Sequence, residues 1–268
     1  MTESDSIISN RSLSELLQDS LTSTPCVNIR KNAKVRVATG MLVQYLERFT
    51  DSVVVRDDTK PIGVIGGREI IQGVFKNPSS DFFEMKQVDE IVDKHLNVVT
   101  PDTTLKELIS LWKEAGRAFA VVDMGNDDYS VISVKKLLEI GIKNTFEFHL
   151  SEIPKKKIIT FDKDATFGNV MKLMLENRTR KILLEGTNQF INDRIIIEAI
   201  EKFDYLLGND HFLDIPASVV SLEDAKVVAD DLSLSEISKI MYEMSQPLII
   251  HEERAISPWD ICMSLEKR

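Results

Sequence analysis

PDTTLKELISLWKEAGRAFAVVDMGNDDYSVISVKKLLEIG, residues 101–141, predicts a helix, a β-hairpin and a second helix in direct succession. Thr104 and Glu107 have the spacing of a capping box, in which each side chain accepts a hydrogen bond from the backbone N–H of the other residue. Apolar residues then recur at helical spacing, and they are Leu105, Leu108, Ile109 and Trp112. The first part of the stretch is therefore predicted to form a capped amphipathic helix.

The second part of the stretch predicts the hairpin and the final helix. Short apolar runs at 119–122 and 129–132 flank the turn-forming sequence Gly-Asn-Asp-Asp at 125–128. Ser133 is placed to cap a helix that carries Leu137, Leu138 and Ile140. Because such a unit cannot bury both faces of its small sheet alone, we expect further copies along the chain.

The junction between the second hairpin strand and the last helix does recur. It is found as GVIGGREII, SVISVKKLL, QFINDRIII and RAISPWDIC, with equivalent positions at Gly66, Ser133, Asn192 and Ser257. The capped helix recurs at Thr166 and at Ser233, whereas the first copy has no capping box and predicts a helix at 41–49 and a strand at 53–55. We predict an α/β fold of four repeats, each with the order helix, strand, helix, strand, strand, helix.

Two repeats together have the length of an ordinary domain. We therefore expect the chain to divide near residue 145, with repeats 1–80 and 81–145 in the first domain and repeats 146–206 and 207–268 in the second. No low-complexity linker marks the boundary, so the two halves are expected to pack against each other.

Composition and motifs exclude several classes of function. A net charge of −10 disfavours binding to a nucleic-acid backbone over a broad face. The two cysteines and four histidines are scattered, so neither a disulfide nor a metal site is predicted. Without a signal-peptide pattern or a long apolar run, we expect a cytoplasmic protein with no membrane span. No nucleophile elbow, phosphate loop or paired-carboxylate site is present, so we expect no enzymatic activity.

The second copy resembles the cystathionine β-synthase (CBS) domain, whose pattern is roughly P-D-x-T-L-x-E-A, then R-L-P-V-V-D, then G-I-V-T-x-x-D-L-L. The matching segments here are PDTTLKEL, AFAVVD and SVISVKKLL. Copies of this family pair into Bateman modules, so the resemblance implies two modules: the first repeat with the second, and the third with the fourth. Such modules commonly bind adenosine-containing ligands (AMP, ADP, ATP, S-adenosylmethionine or cyclic dinucleotides such as cyclic di-AMP) and regulate an attached or partner protein.

The resemblance also implies ligand-binding residues at the junctions. In the family, a Thr or Ser at the end of the last strand faces phosphate, and an Asp three residues later accepts hydrogen bonds from both ribose hydroxyls. Ser257 and Asp260 match both positions, and Gly66 with Glu69 keeps the carboxylate. The other two junctions lack an acid at the second position and have the pairs Ser133 with Lys136 and Asn192 with Ile195.

A basic residue that faces phosphate in the family precedes the middle strand, and it matches Arg117 in the second repeat and Arg180 in the third. Each implied module therefore has one acidic ribose candidate and one basic phosphate candidate on different repeats, which makes a shared pocket a reasonable expectation. The seven candidate ligand-binding residues are Ser257, Asp260, Arg180, Gly66, Glu69, Arg117 and Ser133.

Structural explanations compete with binding at the same residues. Ser257, Pro258 and Asp260 form a favourable helix start without any ligand, and Glu69 suits a helix N-terminus. The run Lys155, Lys156 and Lys157 is compatible with a phosphate, with an acidic partner or with a solvated approach to a strand.

We interpret the chain as a regulatory sensor of an adenosine-containing ligand that needs no cofactor. A chain of repeats alone has no attached effector, so an unidentified effector protein is expected, and a homodimer is compatible with this interpretation. The main alternative is a ligand-free protein-interaction scaffold. Nucleic-acid binding through a local basic face is a weaker third interpretation.

Overall fold

The computed structural model describes residues 8–45, 52–146, 148–209 and 211–267. In this part of the chain the α-helices are α1 (Leu13–Leu17), α2 (Val35–Tyr45), α3 (Gly67–Lys76), α4 (Ser80–Glu84), α5 (Leu105–Ala115), α6 (Val134–Lys143), α7 (Phe167–Glu176), α8 (Asp193–Lys202), α9 (Leu234–Glu243) and α10 (Pro258–Ser264). The strands are β1 (Asn28–Arg30), β2 (Ser52–Asp57), β3 (Lys60–Gly66), β4 (Val98–Val99), β5 (Phe119–Gly125), β6 (Asp128–Ser133), β7 (Thr160–Phe161), β8 (Lys181–Leu184), β9 (Gln189–Asn192), β10 (Glu223–Asp224), β11 (Lys226–Val227), β12 (Ile249–His251) and β13 (Arg254–Ile256).

The predicted repeat is present four times. In each copy a short first strand pairs in parallel with the first strand of a hairpin, which gives the sheets β1-β2-β3, β4-β5-β6, β7-β8-β9 and β11-β12-β13. In the third sheet β10 adds an antiparallel strand on the outer side of β9. The helix predicted to open each repeat is a short α-helix or a 3₁₀ helix. The α/β fold with four repeats is confirmed.

Capping explains where the helix starts before the second, third and fourth hairpins. The Glu107 side chain accepts the Thr104 N–H at 2.8 Å, and the Thr104 hydroxyl accepts the Glu107 N–H at 3.2 Å. Ser233 with Glu236 repeats this box, and Thr166 forms it with Asn169 although Asn169 is not an acid. The predicted helix starts are confirmed at all three positions.

The hairpin of the second repeat also follows its sequence. β5 and β6 are joined through Asn126 and Asp127, whose φ angles of 54° and 59° lie in the left-handed region that these residue types tolerate. The adjoining strands are buried over Phe119–Val122 on one side and Ser130–Ser133 on the other.

One local prediction is wrong, and a second is confirmed in position only. α2 begins at Val35, six residues before the predicted 41, and the predicted residues 46–49 lie outside the described part of the chain. Ser133 occupies the N-cap position of α6, but its side chain accepts no capping hydrogen bond. Neither α2 nor α6 has at its start the capping box that is present at Thr104, Thr166 and Ser233.

The chain forms two compact units. Unit 1 takes its described residues from Met1–Cys26, His95–Lys156 and Lys226–Arg268, and unit 2 from Val27–Lys94 and Lys157–Ala225. Unit 1 therefore combines most of the second and fourth repeats with the opening segments of the first and third, and unit 2 combines most of the first and third repeats with the opening segments of the second and fourth. Within each unit the repeats meet through their helices. The predicted division at residue 145, into two modules of consecutive repeats, stays a prediction.

Unit 1 has its own apolar core, centred on Trp112 of α5 and extended by Met241 of α9 and Ile261 of α10. α6 packs against both α9 and α10. Gly141 permits the close approach of α6 to α9, because a Cβ at this position would overlap the side chain of Ser238.

Unit 2 has a separate core, which includes Phe82 of α4 and the stacked rings of Phe167 and Phe212. α3 packs against α7 and α8, and α2 packs against α8. At the start of α3, a Cβ at Gly67 would overlap the carboxylate of Asp193 at the start of α8.

No helix in the described part of the chain is both long enough and apolar enough to cross a membrane.

Candidate functional site

The four junctions have one backbone geometry. Gly66, Ser133, Asn192 and Ser257 are the N-cap residues of α3, α6, α8 and α10, with φ angles of −137°, −130°, −126° and −109°. All four have an extended backbone that any residue can adopt, so the backbone conformation at position 66 does not require a glycine. Each junction therefore presents the same two side-chain positions at the end of a strand and the start of a helix.

In the fourth repeat, the structure holds the predicted carboxylate in place. Asp260 is 8% exposed, and its Oδ2 atom accepts the Ser257 backbone N–H at 2.9 Å and the Ser257 hydroxyl at 2.7 Å. The ammonium of Lys156 donates to the other oxygen, Oδ1. The sequence left Lys156 open among a phosphate, an acidic partner and a solvated approach to a strand, and it did not predict this contact with Asp260. A buried carboxylate is stable only with a compensating cation or hydrogen-bond donor.

In the first repeat, Glu69 is buried in an equivalent place. Its Oε2 atom accepts the Gly66 N–H at 2.8 Å, and its Oε1 atom accepts from Arg68 at 3.0 Å. The same guanidinium donates to Asp93 at 2.5 Å. Glu69 is thus part of a chain of charges that extends to Asp93, in the segment before β4.

In the third repeat, the predicted phosphate contact Arg180 binds a carboxylate instead. Its Nε and Nη2 atoms donate to Asp193 at 2.6 and 3.3 Å, and Asp193 is 4% exposed. Asp193 was not among the predicted site residues. An acid in the first turn of a helix is common, so the sequence did not distinguish this one, which follows the N-cap residue Asn192 directly.

In the second repeat, a buried lysine, Lys136, occupies the position that the carboxylate has in the first and fourth repeats. Lys136 is 6% exposed and donates to Ser23 at 2.9 Å and to Glu139 at 3.2 Å. The Tyr242 hydroxyl donates a hydrogen bond to the same glutamate at 3.5 Å. Burial together with the Glu139 charge raises the pKa of this hydroxyl. The Lys136 ammonium thus has two hydrogen-bond partners within the protein, and the role of this junction in ligand binding stays a prediction.

The remaining two predicted residues belong to the same repeat. Ser133 is 5% exposed, and Arg117 is half-buried directly after Gly116, which ends α5 in the left-handed conformation. Of the seven predicted residues, Ser257, Asp260, Ser133 and Arg117 lie in unit 1, and Gly66, Glu69 and Arg180 lie in unit 2. The pocket expected between an acidic and a basic candidate of one module pairs residues from different units, and it stays a prediction.

An open groove of about 500 Å³ lies on unit 1, away from the junctions. It is lined by β4 and α5 through Val98, Val99, Thr103, Lys106, Glu107, Ser110, Leu111 and Glu114. None of the seven predicted residues lines it. In the part of the chain that the structure describes, no group of three or more His, Cys, Asp or Glu side chains could hold a metal ion.

Repeated strand-to-helix junctions in four small mixed sheets define the class of fold, and solved structures share it. A protein from Methanocaldococcus jannaschii, described as a proposed archaeal homologue of γ-AMPK, matches with a TM-score of 0.76 and 13% identity over 94% of this chain and 99% of that one. An uncharacterised conserved protein from Pyrococcus horikoshii matches with a TM-score of 0.55 and 16% identity over 91% and 97%.

A CBS-domain protein from Agrobacterium tumefaciens matches 52% of this chain and 98% of its own, at 15% identity and a TM-score of 0.41. No family model matches the sequence, and no curated relative does. At these identities the likeness concerns the fold, and the resemblance to tandem CBS-domain proteins is confirmed at that level.

Proposed function

We propose that this chain is a regulatory protein that binds an adenosine-containing ligand at Ser257 and Asp260 and communicates its occupancy to an effector protein. The ligand classes implied by the resemblance are AMP, ADP, ATP, S-adenosylmethionine and cyclic di-AMP. Its action would be differential binding, in which the ligand stabilises one conformation and the effector binds that conformation.

One observation carries this proposal. Asp260 is a buried carboxylate at the end of a strand and the start of a helix, at the position where the resemblance places the ribose-binding acid. An ionised carboxylate is a strong acceptor for the two neighbouring hydroxyls of ribose. The Ser257 hydroxyl is bonded to Oδ2 at 2.7 Å, so it fixes the carboxylate's orientation rather than facing solvent.

Glu69 is the second candidate, with weaker support. It has the same position and burial, but Arg68 connects it to Asp93. A ribose at Glu69 would compete with a guanidinium that bridges two carboxylates. We therefore expect Glu69 to bind ligand more weakly than Asp260.

A ligand-free interaction scaffold is the second candidate function, and one observation favours it. The buried carboxylates at these junctions already accept hydrogen bonds from the protein: Asp260 from Ser257 and Lys156, Glu69 from Gly66 and Arg68, and Asp193 from Arg180. In that case the junctions would stabilise the repeats and bind nothing.

Thermal unfolding with each of the five ligands separates the two functions. A ligand that binds only the folded protein stabilises it by about 2.7 kcal/mol at a hundred times its dissociation constant, so the melting temperature rises. Asp260→Ala should then weaken the affinity roughly tenfold to a hundredfold, since it removes a charged acceptor. Isothermal titration calorimetry measures that change.

The matched control is Glu236→Ala. It removes the third-position acid of a Ser-led capping box in the same unit, as Asp260→Ala does, but at a helix that carries no predicted ligand residue. Glu236→Ala should lose less stability, because Glu236 is exposed and Asp260 is buried, and only Asp260→Ala should lose affinity. No stabilisation by any ligand at millimolar concentration would refute the sensor and favour the scaffold.

We also propose that the protein acts without a cofactor and without enzymatic activity of its own, and that it works in the cytoplasm. The effector protein and a homodimeric assembly are part of the same proposal. Nucleic acid is a poor partner for a chain with a net charge of −10.

A further inference from the structure

Lys156 is placed to compete with a ligand for Asp260. It lies in the extended segment between the 3₁₀ helix Leu150–Glu152 and β7. Its side chain is 60% exposed, yet its ammonium donates to Oδ1 of a carboxylate that is 8% exposed. The cation therefore lies largely in solvent, whereas the anion is buried and held by Ser257.

Hydrogen-bond capacity makes this contact an obstacle to ribose. An ionised carboxylate has about four acceptor positions. Among the described residues, the donors to Asp260 are the Ser257 N–H, the Ser257 hydroxyl and the Lys156 ammonium. Two ribose hydroxyls therefore need more acceptor positions than the carboxylate has left, and one of the present donors must leave.

Lys156 is the donor that can leave with least loss. The Ser257 N–H belongs to the start of α10, where an unpaired donor weakens the helix. An exposed ammonium that moves away regains its hydration, so an ion pair whose cation is 60% exposed is weaker than one in which both partners are buried. Ligand binding and the Lys156 contact are thus mutually exclusive at Asp260.

We propose that Lys156 is a built-in competitor that sets the affinity of the Asp260 site, an inference that rests on the proposed function. The segment around it is also tied to β13 and the hairpin turn before it, through Arg254 to the Ser151 carbonyl at 3.2 Å and through Lys155 to Glu253 at 3.6 Å. Displacing Lys156 removes a further contact between this segment and the fourth repeat, the one to Asp260.

The test uses adenosine, which has the ribose hydroxyls and no phosphate, and compares the full chain with Lys156→Met. The control is Lys155→Met, which removes the same charge one residue earlier, from an ion pair in which both side chains are exposed. In calorimetric titrations, Lys156→Met should bind adenosine about fivefold more tightly than wild type, the size expected for one exposed ion pair. Lys155→Met should not change the affinity.

Salt gives a second, independent readout. Because adenosine is uncharged, salt acts here by screening the Lys156–Asp260 pair. Wild type should bind adenosine more tightly as sodium chloride is raised, and Lys156→Met should show no such dependence. AMP is titrated in parallel, because a lysine that binds phosphate would make AMP affinity fall with salt and in Lys156→Met.

Each result decides the matter. Equal adenosine affinity in wild type and Lys156→Met overturns the competitor and leaves the sensor standing. Weaker AMP binding with unchanged adenosine binding identifies Lys156 as a phosphate contact and overturns it as well. Adenosine binding by Lys156→Met alone supports the competitor and argues against the sensor in wild type. If none of the three proteins binds adenosine or AMP, both proposals fail.

Discussion

Asp260 in unit 1 and Asp193 in unit 2 are both buried carboxylates at a helix start, and they differ in the cation that neutralises them. Asp260 receives one ammonium from a flexible lysine, whereas Asp193 receives two N–H groups of Arg180. A planar guanidinium fixes a carboxylate in both position and orientation, which an ammonium does not. One repeated scaffold thus contains an exchangeable ion pair in unit 1 and a fixed one in unit 2.

The largest loss of stability should come from Gly67→Ala, which disturbs the fixed ion pair between Arg180 and Asp193. A Cβ at Gly67 would overlap the Asp193 carboxylate, so α3 or the ion pair must shift. We expect a loss of about 3 kcal/mol in the free energy of unfolding, measured by urea unfolding followed by circular dichroism. Gly40→Ala is the control, because nothing lies within 4 Å of its added methyl group and the helix should gain up to about 1 kcal/mol. A harmless Gly67→Ala would show that the start of α3 does not depend on this close approach.

An intermediate effect should separate the two cations directly. Arg180→Met leaves Asp193 buried without its guanidinium and should cost about 2 kcal/mol, less than for a fully buried pair because the arginine side chain is 47% exposed. Lys156→Met should cost about 1 kcal/mol, because its ammonium is the more exposed of the two cations. Equal losses in chemical unfolding would contradict the distinction between a fixed and an exchangeable pair.

The smallest effect should appear in the pH dependence of stability. Each unit contains a glutamate with a shifted pKa, and the two shifts have opposite directions. In unit 1, hydrogen bonds from Ser233 lower the pKa of Glu236. In unit 2, burial raises the pKa of Glu201, although the charge of Arg36 opposes the rise. The stability due to Glu236 is therefore lost as the pH falls through its lowered pKa. The contribution of Glu201 is instead fully present below its unfolded pKa and lost as the pH rises through the raised one.

Glu236→Gln and Glu201→Gln test these signs in urea unfolding across the acidic range. Glu236→Gln should flatten the loss of stability on acidification, and Glu201→Gln should remove a loss that occurs as the pH rises. Tryptophan fluorescence reports on unit 1 selectively, because Trp112 and Trp259 both lie there. Shifts of the same sign in both variants would refute the assignment.

Local features of the sequence were sufficient to predict most of the fold. The pairs Thr104 with Glu107 and Ser233 with Glu236 determine helix starts within four residues, and Asn126 with Asp127 determines a turn. The start of α2 has no such pair, and its prediction was wrong. Where a helix start depends on tertiary packing, a local pattern cannot locate it.

The ion pairs of the candidate site could not be predicted in the same way. Arg180 and Asp193 are on opposite sides of a hairpin, and Lys156 and Asp260 are separated by more than a repeat. Which cation reaches which carboxylate depends on how the repeats pack, and the sequence around each residue does not state it. The resemblance located Asp260 correctly at a junction, but it gave no indication that Lys156 would be bonded to it.

Alternation of the repeats between the units has a consequence for how the protein is made. During synthesis from the N-terminus, unit 2 lacks part of its core until Ala225 has been made, and unit 1 still needs residues from Lys226 onward. Truncating the chain between its middle repeats would leave two incomplete cores, with Trp112 exposed in one fragment. Long-range assembly of this kind slows folding, so nascent chains of intermediate length are the ones that need protection from aggregation.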